Sequence, residues 1–378
     1  MTHRFWIPLA LAAAVAGCQA PTPTAGQFAL SAANSAPTQR LLADTRVAFD
    51  TTVSTLAGTG TAGFMEGPAA TARFNTPMGL SVDPTGTVYV ADMFNMGVRM
   101  ITPTGMVMTV GFPAALGQLV MPTSVVPTPR GLAVLETVKN RIQFLSPTGT
   151  VTPFVGGGIA SIGQGFLPGT YGYGDGRGEV ARFQSMGDLC LDSSGMIFIS
   201  DRNRVRMAYP DGTVITIAGI DVVGHVNGPG KQARFNTLKG IATDNNGHVY
   251  VVDSGNHRIR RITIDFNDPT RCTVDTVAGS ERGFADSDRA LNAMFLDPTD
   301  IAIDSIGNLY VTDTGNHRVR KILTDGSVIT LAGISEGRAD GPGISARFNR
   351  PNHIAVDAAG NVYVTDLKNH SVRKITQL

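Results

Sequence analysis

The chain has little cysteine, a single tryptophan and no surplus of either charge. Lysine and arginine number 31 against 30 aspartates and glutamates, so the fold offers no broad cationic field for phosphate backbones, and nucleic acid is excluded as a partner. A long apolar run is missing too. The stretch from Ile7 to Ala16 falls short of the roughly 20 residues that a bilayer-spanning helix needs. In place of long helical patterns there are 44 glycines and 21 prolines, interleaved with Val, Ile and Thr. Such a composition describes many short strands joined by tight turns, an all-β class. With 378 residues the chain could form one large domain or two ordinary ones, so repeats decide the count.

The first residues read as targeting sequence. His3 and Arg4 precede the apolar run, which ends in Val15-Ala16-Gly17-Cys18, a pattern that resembles the lipobox of bacterial lipoproteins. The resemblance implies cleavage before Cys18, lipidation of that cysteine and, because Gln19 follows it, an outer-membrane location if the source is Gram-negative. A lipid anchor attaches without spanning. Residues 1–18 are thus expected to be a signal peptide. Residues 19–49, rich in Ala, Pro, Thr, Ser and Gln without sustained periodicity, are expected to be a flexible tether, and residues 50–378 the folded, monomeric domain. Trp6 falls in the cleaved segment, which predicts a mature protein without tryptophan fluorescence.

After the tether one unit recurs. Its opening, Ala-Arg-Phe, stands at Ala72-Arg73-Phe74, Ala181-Arg182-Phe183, Ala233-Arg234-Phe235 and Ala346-Arg347-Phe348, and survives as Ala293-Met294-Phe295. An apolar strand then runs into an acid-x-x-Gly turn, as at Asp83 to Gly86 and Asp357 to Gly360, which suits a tight hairpin. A second strand closes on an acid six times, at Asp92, Glu136, Asp201, Asp253, Asp313 and Asp366. Third and fourth strands follow, the last ending in a small residue and Gly, as in Leu331-Ala332-Gly333. Six four-stranded antiparallel units predict a six-bladed β-propeller, because one twisted sheet cannot bury both faces alone but can between two neighbours. The sixth unit stops without its fourth strand, and Val53 to Gly58 supplies one at the other end of the chain. That segment is predicted to pair outermost in the last blade and close the ring. Cys190 and Cys272 then fall in different blades, beyond the roughly 7 Å Cα separation that a disulfide tolerates.

Asp253 with Asn256-His257-Arg258, Asp313 with Asn316-His317-Arg318, and Asp366 with Asn369-His370 resemble the NHL repeat. The resemblance covers nearly everything after the tether, least so in blade two, where Pro122, Pro127 and Pro129 interrupt the pattern. NHL propellers serve as ligand sensors, protein-interaction modules, RNA binders and amidating lyases, so the fold alone does not choose a function.

Residues that every blade repeats belong to the fold. His257, His317 and His370 are expected in equivalent turns around the rim, too far apart to share an ion whose ligands lie about 2 Å away. Arg258, Arg318 and Arg373 are expected to pair within their blades. Positions that break the repeat carry more information. Immediately before the innermost strands the six blades show Gly79, Ser124, Asp188, Gly240, Asp300 and His353. Asp188, Asp300 and His353 there form a candidate polar-ligand or divalent-cation site, calcium being the oxygen-ligand option, with Lys239 and Asn352 as accessories. Solvated side chains at a wet channel mouth are the plainer alternative. A long insertion, Gly156 to Val180, offers Phe166, Tyr171 and Tyr173 for recognition of a peptide or glycan.

No Ser-His-Asp arrangement, phosphate loop or reactive-cysteine motif is present. Three histidines at inner-strand starts, which a lyase-type zinc site would use, are also missing, since only His353 stands there. The sequence thus favours a lipid-anchored extracytoplasmic binding or scaffold module for a protein, peptide or glycan. The rival is a metal-dependent lyase or lactonase working at the channel.

Overall fold

The computed structural model describes residues 50–111, 118–157 and 172–377. Cys18, Phe166 and Tyr171 lie outside the described residues. Six antiparallel sheets form the blades of a closed propeller. Their inner strands are Pro77–Val82, Ser124–Thr128, Met186–Leu191, Leu238–Thr243, Asp300–Ile303 and Pro351–Val356. The apolar clusters lie between blades rather than within them. One unites Phe198, Val205 and Met207 of blade three with Phe235, Ile241 and Val251 of blade four. Another joins Tyr363 and Val372 of blade six to Phe74, Leu80 and Val90 of blade one.

The ring closes as the repeat count requires. Strand Thr51–Ala57 lies antiparallel to Ser371–Gln377, with Val53 opposite Ile375 and Ser54 opposite Lys374. It is not the outermost strand, however. A two-residue strand, Gly341–Pro342, pairs beyond it, and blades one, three and four carry the same short fifth strand. The N–H groups along that edge are thereby partly covered.

The repeated residues form one mutually satisfied unit. In blade six, Asp366 accepts the N–H of Asn349 just after Ala-Arg-Phe (2.7 Å), the Asn369 amide (2.7 Å) and Arg373 Nη1 (2.7 Å). Arg373 also donates to the Arg347 carbonyl and stacks 5.0 Å from the Phe348 ring centroid. Asp253–Arg260–Phe235 and Asp313–Arg320–Phe295 repeat the arrangement, as do Asp92–Arg99–Phe74 and Asp201–Arg206–Phe183. All five guanidinium groups are fully buried. The equivalents of Arg373 are therefore Arg260 and Arg320, not Arg258 and Arg318. Alternation alone would keep Arg258 with Arg260 and Arg318 with Arg320, but the ladder to the fourth strand slips just before Arg260 and Arg320, and a bulge re-aims side chains. Arg258 donates to the Asn256 carbonyl and Arg318 to those of Gly333 and Ile334.

Blade two departs as its prolines imply. Glu136 replaces the aspartate and Gln143 the arginine, and the longer acid reaches Gln143 (2.6 Å), Arg141 and the Val120 N–H. Pro127 sits in the inner strand opposite Leu132. An inner strand has no ladder partner on its channel side, so a proline is tolerated there. The cysteines are both free, Cys190 on an inner strand and Cys272 buried with its thiol donating to the Ile217 carbonyl at 3.0 Å.

The rim histidines latch neighbouring blades together. Each adopts a left-handed backbone (φ 55, 56 and 46° at His257, His317 and His370). Each presents Nδ1 to a backbone N–H of the next blade: His257 to Asp297, His317 to Arg350 and His370 to Thr76.

Candidate functional site

The inner strands do not run smoothly. The ladder slips between Met186 and Leu189, Leu238 and Ile241, Pro351 and Ile354, and Pro77 and Leu80. Such bulges re-aim side chains. Asp188 and His353 lie inside them, within the inner strands rather than immediately before them, while Asp300 opens its own strand. These three side chains meet: one ligand atom from each falls within 4.8 Å of the others. His353 Nε2 is 3.1 Å from Asp188 Oδ1, and its Nδ1 makes a 2.8 Å ion-pair approach to Asp300 Oδ2.

Each carboxylate also reaches into another blade's inner strand. Asp188 Oδ2 accepts the Ile241 N–H at 3.2 Å, and Asp300 Oδ2 that of Ile354 at 2.8 Å. Asp300 Oδ1 is buried without a hydrogen-bond partner among the described residues. Gly240 makes this possible, because a Cβ there would strike the Asp300 carboxylate and Cα.

Burial and mutual charge set the protonation of the group. Desolvation pushes Asp300 up to about 6, with the Asp188 charge adding to the rise and His353 opposing it. Burial works against the charged form of His353 as well, but the two carboxylates outweigh it and hold the imidazole well above its ordinary value. Asp188, although buried, is drawn below the usual carboxylate range by the His353 charge and hydrogen bond. The three groups are held together, the carboxylates favouring the charged imidazole and burial favouring the neutral Asp300 acid.

The group stands at one end of a cavity of about 370 Å³ that follows the inner strands toward Asp83, Thr243, Ile303 and Val356. Cys190 lines the same cavity, its thiol pushed well above the ordinary value by burial. Lys239 and Asn352 do not line it, since alternation puts the residue before each channel position on another face. The Lys239 ammonium is half-buried, and desolvation lowers its pKa. Asn352 donates its amide to the Met78 carbonyl at 3.4 Å. Tyr173 is away from the channel, exposed and stacked 3.8 Å from the Arg204 guanidinium.

Sequence reasoning missed the hydroxyls that position this group. Ser200, Thr312 and Thr365, each directly before its blade's buried aspartate, accept the N–H of Asp188, Asp300 and His353, all at 2.9 Å. They then donate to a neighbouring blade, at the Lys239, Asn352 and Met78 carbonyls respectively. The signal was present. Blades with Gly79, Ser124 or Gly240 carry Ala91, Leu135 or Val252 at that position, so charged channel residues and hydroxyls occur together.

The chain matches the NHL repeat at residues 235–262, 295–322 and 348–375. It is 24% identical over 346 residues to Teneurin-m of Drosophila melanogaster, covering 82% of this chain and 12% of that protein, so it spans only a small part of that relative's length. Among solved structures it resembles an auxiliary nutrient binding protein from Bacteroides thetaiotaomicron (TM-score 0.65, 18% identity, 86% of this chain and 76% of that one). It also resembles virginiamycin B lyase from Staphylococcus aureus (TM-score 0.53, 13% identity, 87% of this chain and 100% of that one). At these identities the likeness speaks for the fold alone. Six sheets in a closed ring make the chain a six-bladed β-propeller, and blades four, five and six match the NHL repeat.

Proposed function

We propose that the chain is an extracytoplasmic binding module, tethered through lipidated Cys18, whose ligand site is the central channel. The observation that carries this reading is the convergence of Asp188, Asp300 and His353 at the end of a cavity of about 370 Å³, at positions where the other blades have Gly or Ser. Buried charges cost several kcal/mol unless compensated, so about three of them at positions the fold does not require need a reason. The two carboxylates suit a ligand that offers a cation or several N–H and O–H donors. The test is thermal unfolding of the purified chain with Ca²⁺, Mn²⁺, Zn²⁺, polyamines and amino sugars. A stabilising shift that disappears in both Asp188→Asn and Asp300→Asn supports the reading, and a shift retained in both defeats it. Incorporation of labelled palmitate, lost in Cys18→Ser, tests the anchor.

A metal-dependent lyase or lactonase is the second reading, favoured by the spacing of the three ligand atoms. The donor set fits an ion once His353 gives up its proton. One imidazole nitrogen and two carboxylates suit zinc or manganese better than calcium, which takes six to eight oxygens. An ion held there would polarise a substrate carbonyl as a Lewis acid. Metal analysis separates the readings: a stoichiometric ion lost in Asp300→Ala favours the enzyme, and an ion-free protein opposes it.

A further inference from the structure

A second cavity, of about 240 Å³, lies between blades two and three, away from the Asp188–Asp300–His353 group. The repeat breaks beside it, where Ala133 pairs with the lining residue Phe144. Opposite the inner strand the other five blades place an aromatic ring, as Tyr89, Phe198, Tyr250, Tyr310 and Tyr363 pair with Ser81, Cys190, Ala242, Ala302 and Ala355. In blade two the partner of Val126 is Ala133. A methyl group replaces a ring, and the acid-x-x-Gly turn is replaced by Pro129-Arg130 between Thr128 and Gly131.

The walls are apolar, formed by Phe144 and Phe154 of blade two with Leu191, Ile197 and Pro210 of blade three. The two phenyl rings tilt at 51° with centroids 4.7 Å apart. Above them lies Arg130, its guanidinium carbon 4.3 Å from the Phe144 centroid and 5.8 Å from that of Phe154. Arg99, Arg206, Arg260, Arg320 and Arg373 each hold an aspartate. Arg130 has no carboxylate or hydrogen-bond acceptor for its guanidinium among the described residues. Its contacts are the two ring faces, which fix the plane of the fork and leave its N–H edge free.

We infer that this cavity is a binding site for a small aromatic monocarboxylate. The volume is below the roughly 300–1,000 Å³ of sites for drug-sized ligands, which limits the occupant to about one ring with a short side chain. Phenyl walls favour an aromatic body through offset and edge-to-face contacts. The guanidinium at the mouth favours a planar anion, held by two parallel N–H···O bonds. The inference does not depend on what the channel binds.

The test uses the full purified chain and three probes of one shape: 3-phenylpropionate, 3-phenylpropanol and 3-phenylpropylamine. Binding is read by calorimetry and by saturation-transfer NMR. The carboxylate should bind, and the alcohol and amine should bind at least tenfold more weakly. Arg130 is exposed, so Arg130→Gln should fold normally and weaken the carboxylate by about tenfold to a hundredfold, the loss of a charge-assisted pair. Ala133→Tyr, which restores the residue type of the other blades, should abolish binding of all three probes. Equal affinity for the three probes, or for wild type and Arg130→Gln, overturns the assignment. Binding only of peptides ending in Phe, and not of phenylpropionate, overturns it in favour of a protein partner.

Discussion

The Thr365 hydroxyl accepts the N–H of His353 at 2.9 Å and donates to the Met78 carbonyl of blade one at 2.8 Å. One side chain thus holds the channel histidine in its bulge and ties the last blade to the first. Thr365→Val keeps the shape and removes the hydroxyl, leaving buried polar groups unpaired. The expected loss of stability is about 1–3 kcal/mol, read from chemical denaturation. An unchanged midpoint would show that the hydroxyl is dispensable.

Ring closure rests on Val53 packing at the sixth blade beside Ile375. Ile375→Ala should cost about 2–5 kcal/mol. Val53→Asp, which places a charge among Tyr310, Leu331 and Phe348, should cost more and lower the cooperativity of thermal unfolding. A Val53→Asp protein that melts as sharply and as high as wild type is incompatible with this closure.

Burial already pushes the Asp253 carboxyl up, against the opposing pull of Asn256 and Arg260. Removing the guanidinium strands that group, so Arg260→Ala should destabilise by about 3–5 kcal/mol. Blade two shows a gentler replacement, since Gln143 satisfies Glu136 there. Arg260→Gln should therefore be distinctly less harmful than Arg260→Ala, and equal losses would mean that packing rather than the pair matters.

The rim latches predict acid sensitivity. Burial holds His257 and His370 below the ordinary imidazole value, with Lys368 adding to the effect at His370. Because the folded pKa is the lower one, the latch contributes fully above the unfolded value of about 6.5 and is lost as pH falls through the folded value. Stability measured from pH 7 down to about 5 should decline. It should decline less in the double variant His257→Asn/His370→Asn, because an amide oxygen does not titrate in this range and Asn203 already plays this part toward Thr237. Parallel pH profiles for the two proteins would rule the latches out as the cause.

Glycines in the strands should differ sharply. A Cβ on Gly240 meets the Asp300 backbone and carboxylate, whereas one on Gly97 finds only ordinary contacts with Asn95 and Thr109. Gly240→Ala should lower stability by about 1–3 kcal/mol or more through overpacking and displace Asp300 from the channel group. Gly97→Ala should change little. Similar melting temperatures for the two variants would contradict the close approach of blades four and five.

Blade number, strand order and ring closure were legible in the sequence, because repetition exposes what every blade needs: Phe348 for the core, Asp366 for the loop and Val53 for the missing strand. The chain also marked Asp188, Asp300 and His353 as departures from that need. It did not separate them from Lys239 and Asn352, because bulges decide where an inner-strand side chain points, and bulges depend on packing against neighbouring blades. The register error at Arg258 and Arg318 has the same root, since each stands two residues from Arg260 or Arg320, on the same face by alternation, and only the phenylalanine and aspartate that close around one of the two tell them apart. Local periodicity fixed the elements. Contact between blades distant in the chain decided which polar groups meet, because burial and charge act through space rather than along the sequence.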